Sequence, residues 1–369
     1  MATLFDSVKI GDMTIPNRVV MAPLTRCRAG KDDVPVAING VYYSQRASAG
    51  LIVTEATNIS PRSCAFEHAP GIWSEDQIAG WRDVTKSVHQ SGGRIFLQLW
   101  HCGRVGSDGI LKGQQPLSPS GVNDDLNALQ VYGLLANGNY VRIAATPSRA
   151  MTIQEIQETI TEYRVAAGNA IRAGCDGVEV HAANGYLLHQ FLSPTTNTRT
   201  DQYGGPVENR ARIVREVLES IRSIVAMSKV GVRISPTAGY NNVRDPNPSE
   251  TYSYVSRMFE EFKIAYVHVS DTNAWAGQPD LPDLLRMVKP HYRGPLIVNA
   301  GITPEEAAKL VGEGQADAVA FGRMFLANPD LPARIRKNGP YNELRSVGLY
   351  GGDDTGYIDY PALRESVAA

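Results

Sequence analysis

Three polar side chains of different chemistry crowd one short stretch, His181-Ala-Ala-Asn184-Gly-Tyr186-Leu-Leu-His189-Gln-Phe191. The imidazole of His181 and the amide of Asn184 can both donate a hydrogen bond to a single oxygen, and Tyr186 carries a weakly acidic proton. Together they suit a site that holds a carbonyl, polarises it and protonates a neighbouring carbon. The stretch follows Gly177-Val-Glu-Val180, an apolar run that reads as a buried strand. The same residues also fit a histidine satisfied in a core beside an ordinary turn, and this segment alone does not choose between the two.

A strand that delivers side chains at its C-terminal end needs a fold to hold it. Short β-rich runs recur at 19–25, 51–57, 94–100, 177–182, 230–236, 265–270, 295–300 and 318–323. They are mostly continuously apolar, as strands buried on both faces are. Between them, 76–91, 152–174, 209–227 and 303–314 carry apolar residues at helical spacing. Ser74, Thr152 and Thr303 are placed as N-caps, and Gly174 and Gly314 as stops. Eight β-α alternations predict a (β/α)8 TIM barrel. The alternative, a doubly wound open sheet, lacks a G-x-G-x-x-G after its first strand. Residues 7–16 read as an N-terminal hairpin with a Gly11-Asp12 turn, able to plug the barrel floor. Residues 103–151, rich in Gly, Pro, Ser and Asn, are too long for a plain loop and read as a cap over the active face after the third strand. No linker divides the chain, so 1–369 is read as one domain.

Composition narrows the partners. A formal net charge of −2 without long runs of one sign gives no electrostatic support for nucleic acid or an anionic membrane. The four cysteines, Cys27, Cys64, Cys102 and Cys175, are scattered, with neither C-x-x-C spacing nor the density of a disulfide framework. The N-terminus lacks the basic and apolar regions of a secretory signal, and no apolar run is long enough to span a bilayer. The expectation is a cytoplasmic protein, monomeric or a small homo-oligomer, acting on small molecules.

In a barrel of this kind chemistry sits at the strands' C-terminal ends. The successive ends present Pro23, Leu24 and Thr25; Glu55 and Ala56; Gln98 and Trp100; His181 and Asn184; Arg233; Asp271; Ala300 and Gly301; and Gly322 and Arg323. The last two pairs suit a phosphate, because small residues let backbone N–H groups approach it and Arg323 adds charge. Glycine serving only close packing is the other reading of these pairs.

Taken in order along the chain, these features resemble the old yellow enzyme family, in the branch of N-ethylmaleimide reductase and pentaerythritol tetranitrate reductase. The resemblance rests on Asn17-Arg18 with the run 21–26, Tyr43-Ser-Gln-Arg-Ala-Ser48, Gln98-Leu-Trp-His101, the block 181–205, Glu208-Asn-Arg210 with Arg212, Ala320-Phe-Gly-Arg323, and Gly356-Tyr357-Ile-Asp-Tyr360-Pro361. It spans nearly the whole chain. It implies an NAD(P)H-dependent, FMN-containing ene-reductase that reduces the C=C bond of α,β-unsaturated carbonyl or nitro compounds. FMN would be held tightly but non-covalently, with NADPH or NADH as co-substrate.

The resemblance also implies roles. Pro23, Leu24, Thr25 and Ala56 would line the flavin ring, with the Thr25 hydroxyl on O4. Gln98 would meet the pyrimidine edge, and Arg233 would lie near N1 and O2. Ala300, Gly301, Gly322 and Arg323 would hold the phosphate. His181 and Asn184 would bind the substrate oxygen, so that hydride passes from flavin N5 to the β-carbon and a proton from Tyr186 to the α-carbon. Trp100, Phe66, Trp275 and Tyr350 are candidate pocket walls, or plain core. For Arg233 an ion pair with Glu55 or Asp271 stands as an additional reading. The Asn197–Arg212 block, His101, His189 and His268 read as structural, and no metal is expected.

Two departures matter. The cap matches the family poorly, above all at 123–147, so substrate preference does not carry over. Gly40 stands where relatives usually carry a bulkier or acidic residue, a difference of local packing. Rival readings fare worse. A phosphate-binding aldolase needs a Schiff-base lysine at a strand end, and none is there; Lys229 stands at a strand start. A metal hydrolase lacks the H-x-H ending its first strand. A catalytically silent flavin-holding protein predicts loss of His181, Asn184 or Tyr186, and all three are present.

Overall fold

A computed structural model describes residues 1–237, 239–271 and 280–363. In chain order its principal elements begin with β1 (Val8–Ile10), β2 (Met13–Ile15), β3 (Val19–Met21), α1 (Ala37–Ser44), β4 (Leu51–Val53), β5 (Thr57–Asn58), α2 (Glu75–Gln90) and β6 (Ile95–Trp100). The insertion follows, with β7 (Leu117–Ser118), β8 (Val131–Leu134), β9 (Tyr140–Ile143) and β10 (Arg149–Ala150). Then come α3 (Ile153–Arg172), β11 (Gly177–Ala182), α4 (Leu187–Leu192), α5 (Val207–Arg210), α6 (Arg212–Arg222), β12 (Val230–Ile234), α7 (Pro248–Phe262) and β13 (Tyr266–Ser270). The chain closes with α8 (Leu281–Val288), β14 (Leu296–Asn299), α9 (Pro304–Gly312), β15 (Ala318–Phe321), α10 (Arg323–Ala327) and α11 (Leu331–Arg336).

Among the described residues, β3, β4, β6, β11, β12, β13, β14 and β15 pair in parallel in that order, and β15 returns to β3 to close the ring. This is the (β/α)8 barrel that the alternation predicts. Side chains alternate in and out along each strand. Val20, Leu51, Val53, Phe96, Tyr266, Ile297 and Ala318 fill the lower interior, while Val19, Met21, Ile52, Leu97, Val178 and Val180 meet the helices. The β1–β2 hairpin seals the floor by adding Ile10 and Ile15 to the interior cluster. Its turn requires glycine: Gly11 has φ +60, and a Cβ there would lie 1.8 Å from the Ser228 carbonyl oxygen.

Capping follows the sequence closely. Ser74, Thr152 and Thr303 accept from the backbone N–H groups of Gln77, Glu155 and Glu306, each of which answers with its own side chain. Element ends differ more. The first strand stops at Met21, because the chain then leaves the ladder through Ala22-Pro23, and Pro23 has no N–H to pair. The expected 51–57 strand splits into β4 and β5 around Glu55. The expected 209–227 helix starts earlier, at Val207, breaks at Ala211 and ends at Arg222.

The insertion at 103–151 is pinned at its two ends. β7 pairs with β10, and Arg199 Nη1 donates to the carbonyls of Pro119 (2.7 Å) and Met151 (2.6 Å). Between those ends β8 and β9 form an antiparallel hairpin. The remainder of the 197–212 block is a hydrogen-bonded brace: Asn197 bonds the Phe191 and Tyr203 carbonyls, and Arg210 bonds Leu192, Gly205 and Thr251.

Candidate active site

The upper interior of the barrel is polar. Register puts Glu179 beside Gln98, His181 beside Arg233, and Arg233 beside His268, all on inward positions. Glu179 is completely buried and accepts three hydrogen bonds: from Gln98 Nε2 (2.7 Å), the Tyr266 hydroxyl (3.0 Å) and His268 Nδ1 (2.8 Å). Gly231 makes this possible, since a Cβ there would meet the Tyr266 ring at 2.3 Å. Arg233 donates through Nη1 to His268 Nε2 (2.9 Å) and through Nη2 to Asn299 Oδ1 (2.8 Å).

Burial works against the Glu179 charge, yet His268, then the nearby Arg233 cation and the Gln98 donor, hold the carboxyl below the ordinary carboxylate range. Burial and Arg233 push His268 down to about 4. At neutral pH the imidazole is therefore uncharged, and the cation facing Glu179 is the guanidinium. Burial also lowers Arg233, to about 10, which leaves it charged.

Above this layer lies a cavity of about 260 Å³. It brings together Pro23, Leu24, Thr25, Ala56, Phe66, Gln98, His181, Asn184, Tyr186, Arg233, Arg323 and Tyr350. A smaller space of about 130 Å³ shares Pro23, Leu24, Asn184, Arg233 and Arg323 with it and adds Gly301 and Gly322. Ala300 stands one residue before Gly301 and lines a larger cavity of about 840 Å³ between α8 and α9. That larger cavity contains none of the carbonyl-binding or proton-donating candidates.

Within the main cavity, His181 Nδ1 and Asn184 Oδ1 are buried without partners. Burial, then Arg233, pushes His181 down to about 3, so the ring is neutral at pH 7. Asn184 is held in a left-handed conformation, φ 56, by two bonds to its backbone: its N–H donates to Ser235 Oγ (2.8 Å) and its carbonyl accepts from Asn241 Nδ2 (2.9 Å). Tyr186 is the N-cap residue of α4. Its ring meets His181 edge-on at 5.2 Å and Trp100 at 5.0 Å. Burial raises its phenol well above the ordinary value, and a hydrogen bond with Asn241 offsets this only in part.

Some expected positions differ. Trp100 does not line the cavity; fully buried, it backs the wall behind Phe66 and Tyr186. Glu55 makes no pair with Arg233. It accepts from the backbone N–H groups of Arg26 (2.9 Å) and Cys27 (3.2 Å), which fixes the strand end carrying Thr25. Trp275 lies outside the described residues. Sequence reasoning missed Tyr132 and Tyr240, which line the same cavity. Tyr132 comes from β8 and stacks on Phe66 (5.1 Å) and Tyr350 (5.2 Å). No periodic signal in the Gly- and Asn-rich insertion marks it. Glu179 and His268 carry such a signal, standing at alternate positions with His181 and Tyr266 on their strands.

The NADH:flavin oxidoreductase / NADH oxidase family model matches residues 3–342. A solved old yellow enzyme homologue from Zymomonas mobilis superposes with a TM-score of 0.91 at 38% identity, covering 98% of this chain and all of that one. The chain belongs to the old yellow enzyme family. Morphinone reductase in complex with tetrahydroNAD is similarly close, with a TM-score of 0.93 and 40% identity over the full length of both chains. A Leishmania infantum protein named "probable flavin mononucleotide-dependent alkene reductase" is 40% identical over 96% of each chain. Membership of the old yellow enzyme family makes the protein an enzyme, a flavin-dependent oxidoreductase using a nicotinamide co-substrate. Among the described residues no helix is long and apolar enough to cross a membrane.

Proposed function

We propose that the protein is an FMN-dependent ene-reductase that uses NADPH or NADH to reduce the C=C bond of α,β-unsaturated carbonyl or nitro compounds. The observation that carries this reading is the pair of unpartnered buried polar groups on His181 and Asn184, lining one cavity with Tyr186 and Gln98. A polar group buried without a partner costs about 1–3 kcal/mol, a cost that a bound oxygen would remove at His181 Nδ1. Asn184 would reach the same oxygen through its Nδ2 donor, since its Oδ1 can only accept.

The residues fit FMN. Gln98 spends its Nε2 on Glu179, which leaves Oε1 for a donor on a pyrimidine edge. Arg233 stands beside it as a buried cation. Gly301 has φ 68, Gly322 has no side chain, and Arg323 is exposed with no partner among the described residues, a combination suited to a phosphate. Pro23, Leu24, Thr25 and Ala56 would face the ring. Bound FMN would supply hydride to the substrate's β-carbon.

The chain's own residues do the rest. His181 and Asn184 donate hydrogen bonds to the substrate oxygen, drawing electrons from the alkene and favouring charge on that oxygen. Tyr186 gives its proton to the α-carbon. The raised pKa of the phenol suits this role, since the group keeps its proton at neutral pH and yields it only to a strongly basic carbon. Phe66, Tyr132, Tyr240 and Tyr350 exclude water from the reacting atoms. Residues 103–151 act as the cap of a single domain, 1–369.

The test is direct. Purified protein should be yellow, release FMN on denaturation, and bleach with NADPH or NADH under anaerobic conditions. A colourless protein that cannot be reconstituted with FMN would sink the proposal.

A further inference from the structure

A carboxylate in the wall of a barrel is costly to bury, and an apolar side chain of similar size would pack there without that cost. Glu179 is nonetheless fully buried and bonded to three donors. Two of those donors lead towards the cavity. Gln98 lines it directly. His268 passes the contact on to Arg233, which also lines it, through a neutral imidazole donating at Nδ1 and accepting at Nε2. One anion thus faces one cation across a ring that carries no charge. The pair is nearly neutral as seen from the cavity.

We propose that Glu179 is a positioning residue for the flavin: it offsets the Arg233 charge through His268 and fixes the Gln98 amide, and so holds the reduction potential of bound FMN low. This rests on the reading of the cavity as a flavin site. Reduction adds negative charge to the pyrimidine side of the ring, and an unopposed Arg233 would stabilise that charge. Glu179 would weaken this stabilisation, which would make bound reduced FMN the stronger hydride donor. A purely structural role for Glu179 would leave the potential unchanged.

The experiment is measurement of the FMN potential against a reference dye in the wild-type holoenzyme, Glu179→Gln and Glu179→Asp. Glu179→Gln keeps the shape and one of the two acceptor oxygens but removes the charge. It should raise the ratio of reduced- to oxidised-FMN affinity tenfold or more, about 30 mV upward for the two-electron couple. Glu179→Asp keeps the charge and should stay within threefold of wild type. A change under threefold in Glu179→Gln, a downward shift, or an equal shift in Glu179→Asp overturns the proposal. If Glu179→Gln does not fold, the comparison of Arg233→Met with Arg233→Met/Glu179→Gln reads the same charge with the pair removed together. The double variant should lie tenfold or more above the single, and a difference under threefold overturns the proposal. Wild-type protein that binds no FMN would instead refute the flavin reading itself.

Discussion

Hydrogen-bond donors can polarise a carbonyl only if their protons are in place whatever the solution does. Burial and Arg233 hold His181 near 3, so between pH 5 and pH 8 the ring stays neutral and its donor capacity does not change. Affinity for a phenolic ligand that is itself un-ionised should therefore be flat across that range in a spectroscopic titration. A break near pH 6.5, the ordinary histidine value, would show a His181 exposed to titration. Tyr186 was legible in the sequence as a proton source, but not its environment. An acid of ordinary strength is what the sequence suggests, whereas burial makes the phenol a much weaker one. Tyr186→Phe should lower enone turnover 10²–10⁴-fold and leave flavin reduction by the nicotinamide coenzyme intact in stopped-flow traces. Equal loss in both half-reactions would place Tyr186 in a different role. The aromatic walls are less legible in the sequence than the polar residues. Trp100 and Phe66 look alike in sequence, and only packing decides that one backs the wall and the other lines the cavity.

At the scale of elements, the barrel was readable because eight strands buried on both faces leave eight β-rich runs, and the cap signals at Ser74, Thr152 and Thr303 are local chemistry. What continuous apolar runs concealed was the alternation inside them. Glu179 with His181, Arg233, His268 and Asn299 all take inward positions, and parity along each strand was the available clue. Strands end sooner than their apolar runs suggest wherever the chain peels away to build the site, as after Met21 and around Glu55. The shape of the insertion was not legible, because Gly- and Asn-rich hairpins owe their position to tertiary contacts such as Tyr132 on Phe66. Two element-level outcomes are expected. Gly11→Ala forces a side chain into a left-handed turn and against the Ser228 carbonyl, and should cost about 2 kcal/mol or more in denaturant unfolding. Thr152→Ala removes one capping bond from α3 and should cost about 1 kcal/mol. Unchanged unfolding midpoints would contradict each.

For the whole molecule, four histidines are folded into the interior in neutral form: His101 and His181 near 3, His189 and His268 near 4. Burial depresses all four below the unfolded value of about 6.5. The unfolded chain therefore binds more protons than the folded one below that pH, and stability falls as pH drops from about 6.5 towards 4. Tm should decline steadily over that window, and a Tm constant from pH 7 to pH 5 would contradict it. The barrel brings His181, Asn184 and Tyr186 together with Tyr132 of the insertion onto one mouth, and the central claim is that this mouth holds a substrate oxygen between His181 and Asn184. Anaerobic single-turnover reoxidation of the reduced protein by a cyclic enone tests it most directly. His181→Ala/Asn184→Ala should retain its FMN and reoxidise about 10²-fold or more slowly than wild type. Equal reoxidation rates with equal FMN content would contradict the account.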